Sequence, residues 1–375
     1  MSTAAARSCS SGLGVTDADA FAERAVRAYQ AMQWRFSDHD GGYRQRGRWH
    51  WPGATEHLWP VARACVATLD MIGAGPFIGF DTDAAIAQRL ATLSRYWAPP
   101  AYSSDPLGTN LGGDLYYDDN AWVALAIIQL ERMRPGSGPG LERVAELFDF
   151  AVAGWDERTT VAKPGGVFWV QQGRGTGNRN HDRNTVSTAP NAQVGLHLAE
   201  LTGASSDAPE QVQAERMIAW VESALGSGNG LFWDKIRGDG SIDKALWSYN
   251  QGSMIGAHVL LHRCHGPRSE HLARAEGIAA VALRHYEHRY LDHSPAFNAI
   301  FFRNLFQLHA ASSDVVLRGQ ILGDARAYAE RLWNERRDGD DLFPFGKRAT
   351  LLDQSAAVQL FALLGWDPDD YALLA

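Results

Sequence analysis

The residues best suited to chemistry sit together where Tyr116 and Tyr117 precede Asp118, Asp119, Asn120, Ala121 and Trp122. Two consecutive carboxylates stand where a glycine-containing stretch, with Gly112 and Gly113, gives way to an apolar helical pattern carried by Ala124, Leu125, Ile128 and Leu130. Unpaired backbone N–H groups and the positive dipole end at a helix start stabilise one ionised carboxylate. The second acid then feels its neighbour's charge, and like charges held close push their titrations apart. One acid can stay ionised as a nucleophile while the other keeps a proton to donate, a division of labour that glycoside cleavage needs. Aspartate is also a preferred helix cap, so capping alone is the competing account of the pair. Tyr116, Tyr117 and Trp122 favour the chemical one, because their flat apolar faces and polar edges suit the C–H faces of a sugar ring.

Further candidates stand ahead of other helices. Trp49 and Trp51 can line a sugar subsite or anchor a loop. Asn184 or Thr185 can cap a helix or bond a hydroxyl. Tyr249, Asn250 and Gln251 bring a phenol and two amides to one helix entrance, offering donors and acceptors to a neutral polyol. Arg303 lies in an otherwise apolar helix, where a buried arginine needs a partner; bracing a catalytic carboxylate is one such role, and snorkelling to solvent is the alternative. His258 and His262 are four apart on one helix, but no acidic partner follows in zincin spacing, so neither a metal nor another cofactor is expected. No phosphate loop, dinucleotide fingerprint or Gly-x-Ser-x-Gly elbow is present.

The elements that must position these groups are almost all helical. Periodicity predicts helices over 17–36, 55–71, 83–97, 118–132, 141–155, 184–201, 209–225, 250–264, 269–290, 295–311, 315–334 and 352–365. Their connections fall into two sets. One is short and bland, at 134–140, 202–207, 265–267 and 312–314; the other is long and rich in glycine, aromatics and polar groups, at 41–54, 99–117, 163–183, 228–248 and 338–350, with a shorter member at 291–294. The two sets alternate, as a repeat of helical hairpins would require. A closed ring of hairpins places every elaborate loop at one end, ahead of an inner helix. The expectation is therefore a single all-α domain over 15–375, after a flexible N-terminus at 1–14.

Composition narrows the function classes. A formal charge of −8 argues against a nucleic-acid partner, whose binding relies on clustered cations. No apolar run of about 20 residues is available to span a bilayer. The three cysteines, Cys9, Cys65 and Cys264, have no paired spacing, and the first 14 residues hold no apolar signal core, so a cytoplasmic location is expected.

The block from Tyr116 to Trp122 closely resembles the signature of glycoside hydrolase family 76, the endo-α-1,6-mannanases. Similar blocks are Asn184 to Ser187, Tyr249 to Gly252, Phe297 to Arg303 and Ala325 to Trp333. The resemblance implies an (α/α)6 barrel and retaining hydrolysis of α-1,6-mannosidic bonds in an oligosaccharide or polysaccharide. By it, Asp118 matches the nucleophile and Asp119 the acid/base, with Trp51, Tyr117, Asn184, Tyr249, Asn250, Gln251 and Arg303 holding the sugar and the acids. Thr55 stands where the family pattern expects asparagine, and Ser187 to Pro190 also departs from it. Two other readings keep the barrel: transfer of the glycan to a sugar acceptor, or a glycan binder or epimerase working through paired histidines among His57, His197 and His258.

Overall fold

The computed structural model describes residues 16–45, 55–75, 77–108, 113–173 and 179–375. The expected flexible segment 1–14 and the candidate Trp51 lie outside them. Six helices, α2 (Leu58–Ala74), α4 (Tyr117–Met133), α6 (Thr185–Thr202), α8 (Ser248–His265), α10 (Pro295–Ala311) and α12 (Leu351–Gly365), form an inner ring in which each packs on the next and α12 returns to α2. Six more, α1 (Asp17–Phe36), α3 (Thr82–Ser94), α5 (Gly140–Ala153), α7 (Pro209–Leu225), α9 (His271–Tyr286) and α11 (Val315–Arg331), pack around it. This is the (α/α)6 barrel.

Residue pattern decides which helix goes where. An outer helix buries one stripe, so α1 buries seven of its 20 residues, on the face of Phe21, Ala25, Tyr29 and Met32. An inner helix is covered all round, and α6 buries 15 of its 18. Close approach of inner helices uses glycine: a Cβ at Gly252 of α8 would lie 2.7 Å from the Phe301 Cα of α10, and one at Gly256, a turn further, would overlap the Asn304 side chain. Helix ends depart from the periodicity by a few residues. The span expected to run to 290 stops at Tyr286, because His288 takes a left-handed φ of 65° that no helix continues through.

All six long connections lead into inner helices. Short strands tie them together at the mouth of the ring. β1 (Trp97–Ala98) pairs antiparallel with β2 (Ala101–Tyr102). β4 (Lys235–Ile236) lies between β3 (Arg183–Asn184) and β5 (Ile242–Asp243), antiparallel to both, and sets Asn184 opposite Lys235.

Deeper in the ring, polar side chains brace the inner helices. Arg303 pairs with Asp70 of α2 and bonds Gln129 of α4, and Gln129 donates to Asp70 Oδ1 at 2.9 Å. Arg63 bonds Gln359 of α12 beside this group. Arg303 thus has a buried partner, as its setting demands, but the partner is no catalytic acid. Gln129 lies 11 residues beyond Asp118, about 16 Å along α4 at 1.5 Å per residue. Among the described residues no helix is long and apolar enough to cross a membrane.

Candidate active site

A cavity of about 610 Å³ opens at the loop-bearing end of the ring. Its wall includes Trp59, Tyr116, Trp122, Trp169, Tyr249 and Phe297, together with Asp118, Asp119 and Asp234. Trp59 stacks on Phe297 at 6.2 Å between ring centroids, and Tyr249 lies 4.1 Å from the same phenyl. Apolar faces with a few convergent polar groups make a sugar-sized pocket.

Asp118 and Asp119 occupy the first turn of α4, behind an N-cap, Tyr116, that supplies no side-chain bond. Asn120 fixes this helix start. Its amide donates to the carbonyls of Tyr102 and Tyr116 at 2.9 and 2.8 Å, and its Oδ1 accepts the Tyr102 N–H at 2.7 Å. Neither acid is the N-cap, though Asp118 takes one backbone N–H of the first turn. Asp118 Oδ1 accepts the Asp119 backbone N–H at 3.0 Å, and Oδ2 accepts the Trp169 indole N–H at 3.2 Å. Trp169 is itself held by its backbone, accepting from Tyr117 N–H at 3.0 Å and donating to the Asp182 carbonyl at 2.9 Å. Among the described residues nothing donates a hydrogen bond to the Asp119 carboxyl.

This unequal treatment separates the two titrations. Burial raises both acids. For Asp118 the two N–H donors pull the other way, while the Asp234 charge adds to the rise. For Asp119 the Asp118 charge raises the acid further, with no donor to offset it. Both side chains stay partly open to the cavity, which moderates the effect of burial. The pair titrates as a unit, and the hydrogen bonds on Asp118 favour leaving the shared proton on Asp119.

Asp234 is a third carboxyl on the wall. It precedes Lys235 in the loop between α7 and α8, and its backbone is pinned at both ends, donating to the Asp243 carbonyl at 3.1 Å and accepting Thr185 N–H at 2.8 Å. The Asn250 amide donates to Oδ1 at 3.3 Å, and the Tyr249 hydroxyl also bonds this carboxyl. Burial raises its pKa, while Asn250, the Lys235 charge and Tyr249 oppose the rise. The sequence reading passed over Asp234. Its signal was the pattern Gly230, Leu231, Phe232, Trp233, Asp234, an acid after a glycine turn and aromatics, the same grammar that precedes Asp118.

Of the other expected site residues, Asn184 and Tyr249 reach the cavity. Asn184 is the N-cap of α6 yet makes no capping bond, and its buried Oδ1 has no partner among the described residues. Asn250 is fully buried behind Asp234 and acts through it. Gln251 faces the loop, donating to the carbonyls of Phe232 and Trp247 at 2.9 and 3.1 Å and accepting Phe232 N–H at 2.8 Å. Tyr117 points outward to stack on Phe150 of α5 at 4.4 Å. The first turn of α4 thus aims Tyr117 at the outer ring, while Asp118, Asp119 and the N-cap residue Tyr116 line the cavity.

Of the three histidines, only His57 lines the cavity, 2.9 Å from Asp105. His197 is buried against Arg132 and Glu200, and His258 against Glu222 and His271. Among the described residues His57 therefore has no second histidine beside it in the cavity, and these three do not form the pair that the epimerase reading needs. Among the described residues no three His, Cys, Asp or Glu side chains converge as metal ligands.

Residues 19–340 match the profile of glycosyl hydrolase family 76. A curated relative, the meiotically up-regulated gene 191 protein of Schizosaccharomyces pombe, is 27% identical over 182 residues, 45% of this chain and 39% of its own length. The chain thus spans well under half of that relative. Among solved structures, the family 76 mannosidase Bt3792 of Bacteroides thetaiotaomicron superposes with a TM-score of 0.74 at 18% identity, covering 92% of this chain and 98% of that one. The GH76A α-1,6-mannanase of Salegentibacter sp. HEL1_6 superposes at 0.70 and 19% identity, over 92% and 99%. An inactive variant of the latter, with two consecutive aspartates replaced by asparagine, has been solved with α-1,6-mannotriose.

Proposed function

The chain belongs to glycosyl hydrolase family 76 and is a glycoside hydrolase, and on that premise we propose that it cleaves α-1,6-mannosidic linkages with retention of configuration, Asp118 acting as nucleophile and Asp119 as acid/base. The observation that carries this reading is the difference between the two acids. Asp118 is oriented by two N–H donors that favour its charge, while Asp119 has no donor among the described residues and sits beside that charge.

In the first step an Asp118 carboxylate oxygen bonds to the anomeric carbon as the glycosidic C–O bond breaks, and Asp119 gives its proton to the departing oxygen. The glycosyl ester on Asp118 removes the charge that kept Asp119 protonated. Asp119, now ionised, takes a proton from water, whose oxygen bonds to the anomeric carbon and returns Asp118 as carboxylate. Retaining enzymes hold the two carboxyls about 5–5.5 Å apart, a separation that side chains diverging by about 100° from adjacent helical positions can reach. Asp234, Tyr249 and Asn184 would take the hydroxyls of the sugar under attack, with Asn250 positioning Asp234. The two adjacent aspartates mutated in the inactive Salegentibacter enzyme support the assignment.

The test is to assay Asp118→Asn and Asp119→Asn separately on α-1,6-mannotriose and to follow the first product's anomer by NMR. Loss of turnover by about 10²-fold or more in each, with the α anomer first from the native enzyme, is expected. Near-native turnover in either variant, or the β anomer first, would refute the roles.

A further inference from the structure

The cavity carries a charge imbalance with a consequence for which glycans it admits. Among the described residues Asp105, Asp114, Asp118, Asp119 and Asp234 line it, against one lysine, Lys235, and His57, with no arginine. The two basic groups are already engaged. Lys235 Nζ lies 3.2 Å from Asp182 Oδ2, and His57 Nδ1 lies 2.9 Å from Asp105 Oδ1.

Several hydrogen-bond donors in and behind the wall are likewise held by its acids. The Trp169 indole N–H is on Asp118, Tyr249 and Asn250 are on Asp234, and the Ser104 hydroxyl is on Asp105 at 3.0 Å. The Trp59 indole N–H keeps no partner among the described residues and can still donate to a sugar oxygen, so the excess of carboxylates rather than a lack of donors sets the wall's preference. Asn184, 5% exposed and on the cavity wall, keeps a side-chain Oδ1 with no partner among the described residues, an acceptor placed for a hydroxyl or ammonium. Such a wall satisfies groups that donate, hydroxyls and ammonium. A phosphate or carboxylate brings negative charge to a wall whose described charged groups are mostly carboxylates, with both of its cations already paired.

We propose that this site selects its glycan by charge, admitting mannosides whose sugars beside the scissile bond carry only hydroxyl or ammonium groups and rejecting those that carry a phosphate or carboxylate there. The inference rests on the glycosidase reading of the cavity and adds to it the class of substituent tolerated. The charges act within a partly enclosed space, where salt screens them incompletely.

Three matched α-1,6-mannotriosides test it: unmodified, phosphorylated on the mannose next to the scissile bond, and carrying a 2-amino-2-deoxy sugar in that place. The native enzyme should show kcat/KM at least tenfold lower for the phosphorylated substrate than for the neutral one at low salt, a gap that narrows in 0.5 M salt, and no such penalty for the amino sugar. Asp105→Asn and Asp114→Asn should each narrow the phosphorylated-to-neutral ratio, read within each variant so that changes common to both substrates cancel. Rates for the phosphorylated and neutral substrates within twofold, or a gap unmoved by salt and by both substitutions, overturn the proposal. Failure to cleave the neutral substrate sinks the hydrolytic reading instead, and calorimetric binding of the three ligands then decides selection. Equal affinity for neutral and phosphorylated ligands, or no binding of any, counts against it.

Discussion

Replacing Trp169 by phenylalanine removes the indole N–H that donates to Asp118 Oδ2 at 3.2 Å while keeping a ring to pack on Tyr116, whose centroid lies 5.0 Å from the tryptophan's. A hydrogen bond to a charged group contributes about 1.5–3 kcal/mol, and the partial exposure of Asp118 argues for the lower end. At 1.36 kcal/mol per pH unit, the loss raises the nucleophile's titration by about one unit. The sign follows from the role. Asp118 works ionised, so activity falls as pH drops through its titration, and weakening the charged form moves that acidic limb upward. Asp119 works protonated and loses no donor in the variant, so the basic limb should stay within a few tenths of a unit. The assay is the pH dependence of kcat/KM on α-1,6-mannotriose for native and Trp169→Phe enzymes. An acidic limb shifted upward, with about tenfold lower kcat/KM on that limb, is expected. A uniform drop at every pH, with both limbs unmoved, would mean that Trp169 only shapes the cavity and that the argument about Asp118 is wrong.

Asp234→Asn should act in the opposite sense on that limb, because the Asp234 charge raises Asp118; the acidic limb moves down while kcat/KM falls by about 10–100-fold through lost sugar contacts, and an upward move counts against the placement. Arg303→Met strips the buried Asp70 of its ion pair and should destabilise the fold by about 3–5 kcal/mol in denaturant titration. The KM of the folded fraction should not change, and a raised KM at native stability would restore a role near the substrate. Gly252→Ala forces a methyl against the α10 backbone and should cost about 1–3 kcal/mol by the same measurement, where no loss would show that the two helices can part.

The barrel was legible because loop length, not helix propensity, carried the topology. The long connections, with Gly41, Gly165 and Gly228 near their starts, alternate with bland turns such as Ser312 to Asp314, and that alternation survives errors of several residues at helix ends. The acid pair was legible because its chemistry is local: two neighbours at a helix start need no distant partner to be recognised. Direction was not legible. Tyr116 and Tyr117 look equivalent in sequence, and only the N-cap at Tyr116 decides that it faces the cavity while Tyr117 stacks on Phe150. Partners distant in the chain were also hidden. Arg303 announced a buried partner, but nothing local could name Asp70, 233 residues away. Asp234 went unseen because its function depends on Tyr249 and Asn250 folding back onto it from the next helix.

The mechanism turns on which acid becomes glycosylated. Rapid quenching of the enzyme with a slow-deglycosylating fluoromannoside, followed by peptide mass spectrometry, reads this directly. A mannosyl ester on the peptide bearing Asp118, fragmenting to that residue, is the predicted result; an ester on Asp119 or on Asp234 would contradict the assignment.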